Sequence, residues 1–256
     1  MNHPLTLTAI VLITAIVAAG CCIDGNGDIT TDTRSISSFH SLNIDIPGKV
    51  IIRKGDTRKV TVKTDDNLQD KIDADVKSNT LHLDEDSGRC IDPTELVVTV
   101  RMPELRNIDI DGSADVVIED SFENETMKIN IDGSGDVETE DVLIAETLKL
   151  IVDGSGDLDL DIDVAELATS VDGAGDIRLT GSALDHTVKS DGSGDIKAFD
   201  LETETADVTL SGSGDCNVTV FDELTVSISG SGDVAYKGEP DISEHTSGSG
   251  NLIDAN

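Results

Sequence analysis

The chain has 256 residues, with 52 acidic and 18 basic side chains and a net charge of −34. That balance argues against nucleic acid as a partner, because neutralising phosphates needs a Lys/Arg surface, and by charge it disfavours anionic lipid head groups. Five aromatics and no tryptophan leave little for stacking on sugars or anchoring a peptide, yet 37% of residues are hydrophobic, so the composition fits a folded all-β protein with an aliphatic core.

Leu5 to Gly20 is an uncharged run of sixteen residues. A membrane-spanning helix wants about twenty, so residues 1–20 read as a secretory signal. Val17-Ala18-Ala19-Gly20-Cys21 resembles a bacterial lipobox, which makes Cys21 the lipid-attachment residue. Ala18 stands where Leu is usual, and His3 with the α-amino group is the n-region's only source of positive charge. Ordinary cleavage after Gly20 is the alternative. Cys22, not Asp, follows Cys21. In a Gram-negative cell this sorts the protein across the inner membrane to a lipid anchor in the outer membrane.

Residues 24–106 repeat weakly. Gly25-Asn26-Gly27-Asp28 and Pro47-Gly48-Lys49-Val50 look like degenerate corners, and Leu96 to Val100 is a strong strand. Residues 1–110 hold 17 acids and 12 bases, net −5; residues 111–256 hold 35 and 6, net −29. The reading is one solenoid over 21–256, irregular over 24–106 and regular over 107–256. Two domains parted near residue 107 is the alternative.

From residue 107 an internal repeat governs the chain. D-G-S-A-D begins at Asp111, D-G-S-G-D at Asp132, Asp153 and Asp191, and D-G-A-G-D at Asp172. S-G-S-G-D follows at Ser211 and Ser229, and S-G-S-G-N at Ser247. The first glycines are spaced 21, 21, 19, 19, 20, 18 and 18 residues apart. Period-two alternation flanks each copy, so the unit is strand, corner, strand. The glycines are expected to supply φ > 0. The residue after each motif is apolar throughout: Val116, Val137, Leu158, Ile177, Ile196, Cys216, Val234 and Leu252. Such a column fits coils stacked in register rather than hairpins. The expected fold is a parallel β-helix of about 19-residue coils, some twelve coils at about 4.8 Å each, roughly 55–60 Å long.

Arg34 to Asn67 (R-S-I-S-S-F-H-S-L-N-I-D-I-P-G-K-V onward), Val98 to Asp115 (V-T-V-R-M-P-E-L-R-N-I-D-I-D-G-S-A-D) and the later G-S-G-D corners resemble the head GIN domain proteins, a family described as autotransporter adhesins. The resemblance implies a β-helix and a secreted or lipid-anchored envelope location. It brings no catalytic residues. Pro47-Gly48-Lys49 departs from the family's G-S-G-like corner, so a distorted coil is expected there.

The five histidines are scattered without ligand spacing, and a G-S-G that recurs as a corner is no nucleophile elbow. A β-helix polysaccharide-degrading enzyme would need unique carboxylates in a cleft; here they repeat. The expected function is non-enzymatic: adhesion, or binding of an envelope protein or glycan, with an envelope scaffold as the alternative. Stacking in register places Asp115, Asp136, Asp157, Asp176, Asp195, Asp215 and Asp233 in one column. Asp111, Asp132, Asp153, Asp172 and Asp191 form a second. Neighbours about 4.8 Å apart repel by about 0.9 kcal/mol in water and by several times that near a protein surface. Either turn N–H groups and counterions offset this, or weakly bound Ca²⁺ bridges the corners. No other cofactor is expected. Cys216 should be a buried thiol that cannot reach Cys90, while Cys22–Cys90 stays open as a disulfide.

Overall fold

The computed structural model describes residues 22–86 and 90–256; the signal segment and Cys21 lie outside the described residues. None of the helices there is long and apolar enough to cross a membrane. Nineteen strands join one continuous hydrogen-bonded sheet.

From Asn107 onward every strand pairing is parallel. The column after the motif is a true ladder: Val116 pairs with Val137, then Leu158, Ile177, Ile196, Cys216, Val234 and Leu252 follow in register. Eight corners enclose about seven turns. Each coil buries its alternate side chains in a shared aliphatic core that runs unbroken from Phe39 to Val234. Coils of this kind cannot bury an apolar face alone, which is why the repeat must stack.

A second bend closes each coil. In Leu158–Val171 the inward residues run Leu158, Leu160, Ile162, Val164 and then shift phase to Leu167, Thr169, Val171. The ladder skips Ala165 at that point. Coil length varies through local register shifts on the side after the corner: Arg178 and Thr180 pair with Lys197 and Asp200, so the later strand carries the extra residue, and Ala198 and Glu202 pair with Val218 and Thr219.

The N-terminal third departs from the expected run of parallel coils. Ser41–Asp45 and Pro47–Lys54 continue the parallel stack beneath Asn107–Ile110 and Ser113–Ile118. Pro47-Gly48-Lys49 keeps the register of the corner above it, Pro47 opposite Ser113 and Lys49 opposite Asp115, with Gly48 at φ +90°. One further parallel level follows, Thr80–Glu85 against Ser41–Asp45 and Leu96–Met102 against Pro47–Lys54, and beyond it the pairing turns antiparallel. Lys59–Asp65 runs against both Leu96–Met102 and Ile29–Arg34, and Ile72–Lys77 runs against Thr80–Glu85. The stack of some twelve strands therefore ends in an antiparallel cap, not in further coils.

Gly25 to Asp28 belongs to this cap and is not a stacked corner. The buried Asp65 carboxylate accepts N–H bonds from Gly27 (2.6 Å) and Thr94 (2.8 Å). Burial alone would raise its pKa; these bonds hold it below the usual carboxylate range. Cys22 and Cys90 form a disulfide beside the short pairing of Ile23–Asp24 with Ile91–Asp92. Cys216 is a free, fully buried thiol whose pKa desolvation pushes up to about 12, as its place in an aliphatic column requires.

Among the polar side chains buried in the aliphatic core, one is a titratable imidazole. His186 is 2% exposed and stacks between Leu167 and Ala206. Its Nε2 lies 3.0 Å from Thr169 Oγ1, and its Nδ1 has no partner among the described residues.

Candidate functional site

The eight corners line up as a ridge along the stack, and the roles of their residues are now distinct. Both glycines are needed for close approach. A Cβ on Gly154 would stand 1.9 Å from the Gly133 carbonyl oxygen, and one on Gly156 would stand 2.0 Å from that of Gly135. None of the corner glycines from Gly112 to Gly250 has a positive φ, contrary to the expectation from sequence; the positive values fall at Gly27, Gly48, Gly181 and Gly238. The middle residue is open to solvent, which is why Ala174 substitutes there for serine. Ala114 occupies a second-glycine position where the residue beneath it is Gly48.

The last motif position carries an interlocking ladder. Asp136 Oδ1 accepts the Asp157 N–H at 2.8 Å, and Asp157 Oδ1 accepts that of Asp176 at 2.7 Å. Asp176, Asp195 and Asp215 do the same for Asp195, Asp215 and Asp233. Asp233 ends the series on the N–H and side-chain amide of Asn251. The donors are turn N–H groups, and each belongs to the corner of the next coil. Each carboxylate is thus a staple between layers, and the N–H dipole it faces offsets part of the repulsion along the column.

Lys197 adds an ion pair to Asp176. Burial works against the ionised Asp176, but the Lys197 ammonium and the Asp195 N–H together hold its pKa below the usual range. The second column is looser. Asp111 accepts from Asn43, Asp132 from Asn130 and Asp191 from Lys189, while all five of its carboxylates are solvent-exposed.

Among the described residues, no group of three or more His, Cys, Asp or Glu side chains is gathered as metal ligands. With the ladder carboxylates held by the amides of the next coil, Ca²⁺, Mg²⁺ and ionic-strength-matched Na⁺ are expected to raise the melting temperature alike, through screening. A larger rise with Ca²⁺ in a thermal melt would show that the corners bind it. Asp157 separates the two roles further. Asp157→Asn keeps an acceptor and removes a charge, so stability should change by less than about 0.5 kcal/mol; Asp157→Ala orphans the Asp176 N–H and should cost about 1 kcal/mol in denaturant unfolding.

Towards the C-terminal end the ridge forms an open polar groove of about 580 Å³, lined by Asp172, Asp191 and the serines from Ser193 to Ser249. Its lining repeats from coil to coil, which suits an extended ligand better than a compact one.

A family model described as "Putative auto-transporter adhesin, head GIN domain" matches residues 38–240. A solved structure from Parabacteroides distasonis described as a "putative lipid binding protein" is similar over 91% of this chain and 100% of its own, at 27% identity and TM-score 0.84. A "putative adhesin" from Parabacteroides merdae covers 91% and 99% at 21% identity and TM-score 0.84. Another from Parabacteroides distasonis covers 91% and 99% at 22% and 0.87. These last two show the shared fold. No curated protein matches the chain.

Proposed function

Because the chain belongs to the head GIN domain family, we propose that it is a non-enzymatic envelope protein, lipid-anchored through Cys21 in the outer membrane, whose acidic solenoid adheres to an extended protein or glycan. The observation that carries this reading is the corner groove, polar, open and repeated over successive coils. The ladder carboxylates that an enzyme could have used as acid and base are engaged by the amides of the next coil. The envelope location follows the family, and the lipid-binding description of one neighbour is compatible with a membrane-proximal rod.

Two measurements test it. The wild-type protein should take up a palmitate analogue and partition into detergent, and Cys21→Ser should do neither; labelling of that variant would remove the anchor. Affinity capture from intact envelope should recover a partner with the anchored protein and less of it with Cys21→Ser. Recovery of no partner by either form would favour the scaffold reading.

A further inference from the structure

The acidic average of this chain conceals a basic face. On the outward side of the N-terminal sheet, Lys59 of one strand stands opposite Arg101 of the next, and Arg101 opposite Arg53 of the third. Lys63 and Lys49 occupy a parallel row on either side of Val97. Threonine and aliphatic residues fill the remaining outward positions between these cations, so the span from Lys49 to Arg53, Lys59 to Lys63 and Val97 to Arg101 presents no carboxylate. Arg53 pairs with Glu119 and Lys63 with Glu95, both at the rim. Among the described residues, Lys49, Lys59 and Arg101 form no ion pair. One strand further along, Asp115 stands opposite Lys49 and the charge reverses.

This face sits at the end of the stack that carries the start of the mature chain. The disulfide joins Cys22 to Cys90, and Ile23 N–H bonds the Cys90 carbonyl oxygen at 2.9 Å. From Cys90 the chain passes through Ile91–Asp92 directly into Leu96–Met102, the central strand of the basic face. A lipid on Cys21 would therefore hold this end against the bilayer with no linker to swing on.

We propose that the sheet face bearing Lys49, Arg53, Lys59, Lys63 and Arg101 docks on the anionic phosphates of the membrane surface beside the anchor and sets the orientation of the rod. The proposal rests on the anchored reading. A face for capturing a distant ligand belongs at the far end of a displayed rod; this one is at the near end. Most of the carboxylates lie on coils further along the stack. At about 4.8 Å per coil they pass beyond the screening length of about 8 Å within two coils. The tether supplies the effective concentration that a few surface cations alone could not.

The test holds the protein on vesicles artificially, so that its failure is distinct from a failure of Cys21 lipidation. The chain from residue 22 contains every described strand and both disulfide partners. It is held by an N-terminal histidine tag on vesicles carrying a nickel-chelating lipid and a headgroup quencher. A fluorophore sits on Thr33→Cys, at the exposed edge of the face; Cys216 is buried and does not compete. Quenching is expected to be about twofold stronger with about 30% phosphatidylglycerol than with phosphatidylcholine alone. That gain should vanish near about 0.5 M NaCl. It should also vanish in Lys59→Gln/Lys63→Gln/Arg101→Gln, and persist in Arg178→Gln/Lys197→Gln, which removes charge from the distal coils. A fluorophore on Ile253→Cys should read the same on both membranes. Equal quenching of the Thr33→Cys label on neutral and anionic vesicles would overturn the proposal. So would a gain that survives the triple substitution, or a label shielded by a soluble polyanionic glycan but not by the membrane.

Discussion

Gly175→Ala is expected to destabilise the protein by about 3 kcal/mol, among the largest effects of any single methyl group in the chain. The added Cβ would lie 1.9 Å from the Gly156 carbonyl oxygen and 2.8 Å from its carbon. Both obstacles are backbone, so no side chain can swing aside. Relief requires the two coils to part, and that stretches the bonds from Ala174 N–H to the Gly154 oxygen and from Leu158 N–H to the Asp176 oxygen, each 2.9 Å. The neighbouring Ala174→Ser changes an exposed side chain in the same corner and should stay within about 0.5 kcal/mol. Denaturant unfolding of the two variants checks the pair. Equal, small effects would mean that the corners do not stack at this spacing.

Acid should loosen the middle of the rod through His186. Desolvation in the core lowers its pKa from 6.5 to about 4, so the folded state holds the imidazole neutral while the unfolded chain protonates it. The stability tied to that neutral form is complete above about pH 6.5 and is lost progressively as the pH falls to about 4, amounting to about 3 kcal/mol. The many carboxylates also titrate as the pH falls, which is why a variant is needed to isolate the histidine. His186→Leu orphans Thr169 Oγ1 and should be less stable than wild type at pH 7 by about 1 kcal/mol. Between pH 6.5 and 4 that difference should shrink and reverse. A difference that does not change with pH would contradict a neutral buried imidazole.

The corner column from Val116 to Leu252 was legible in sequence because an inward position favours apolar residues, and eight aligned copies expose the pattern. The family resemblance carried by Arg34 to Asn67 and Val98 to Asp115 pointed the same way. What the corner glycines do was misread, because local sequence cannot distinguish a glycine needed for its φ from one needed for a neighbour's carbonyl. The donor to Asp157 was also out of reach, since it lies in the next coil and depends on the register between layers. The second bend had a signal that could have found it: Val164 and Leu167 are both apolar but three residues apart, which breaks the period of two. The antiparallel cap had none. Lys59 to Asp65 alternates as well as any parallel strand, and alternation is silent about direction.

The claim on which this account most depends is that each ladder carboxylate holds the amide of the next coil. Residue-resolved hydrogen exchange reads it directly. The Asp176 N–H lies in a solvent-facing corner, yet its bond to Asp157 Oδ1 should protect it in the wild-type protein. In Asp157→Ala that amide should exchange rapidly, while the Asp195 N–H, held by Asp176, stays protected. An Asp176 amide that already exchanges like a free turn in the wild type, or one that Asp157→Ala leaves unchanged, would contradict the interlayer ladder.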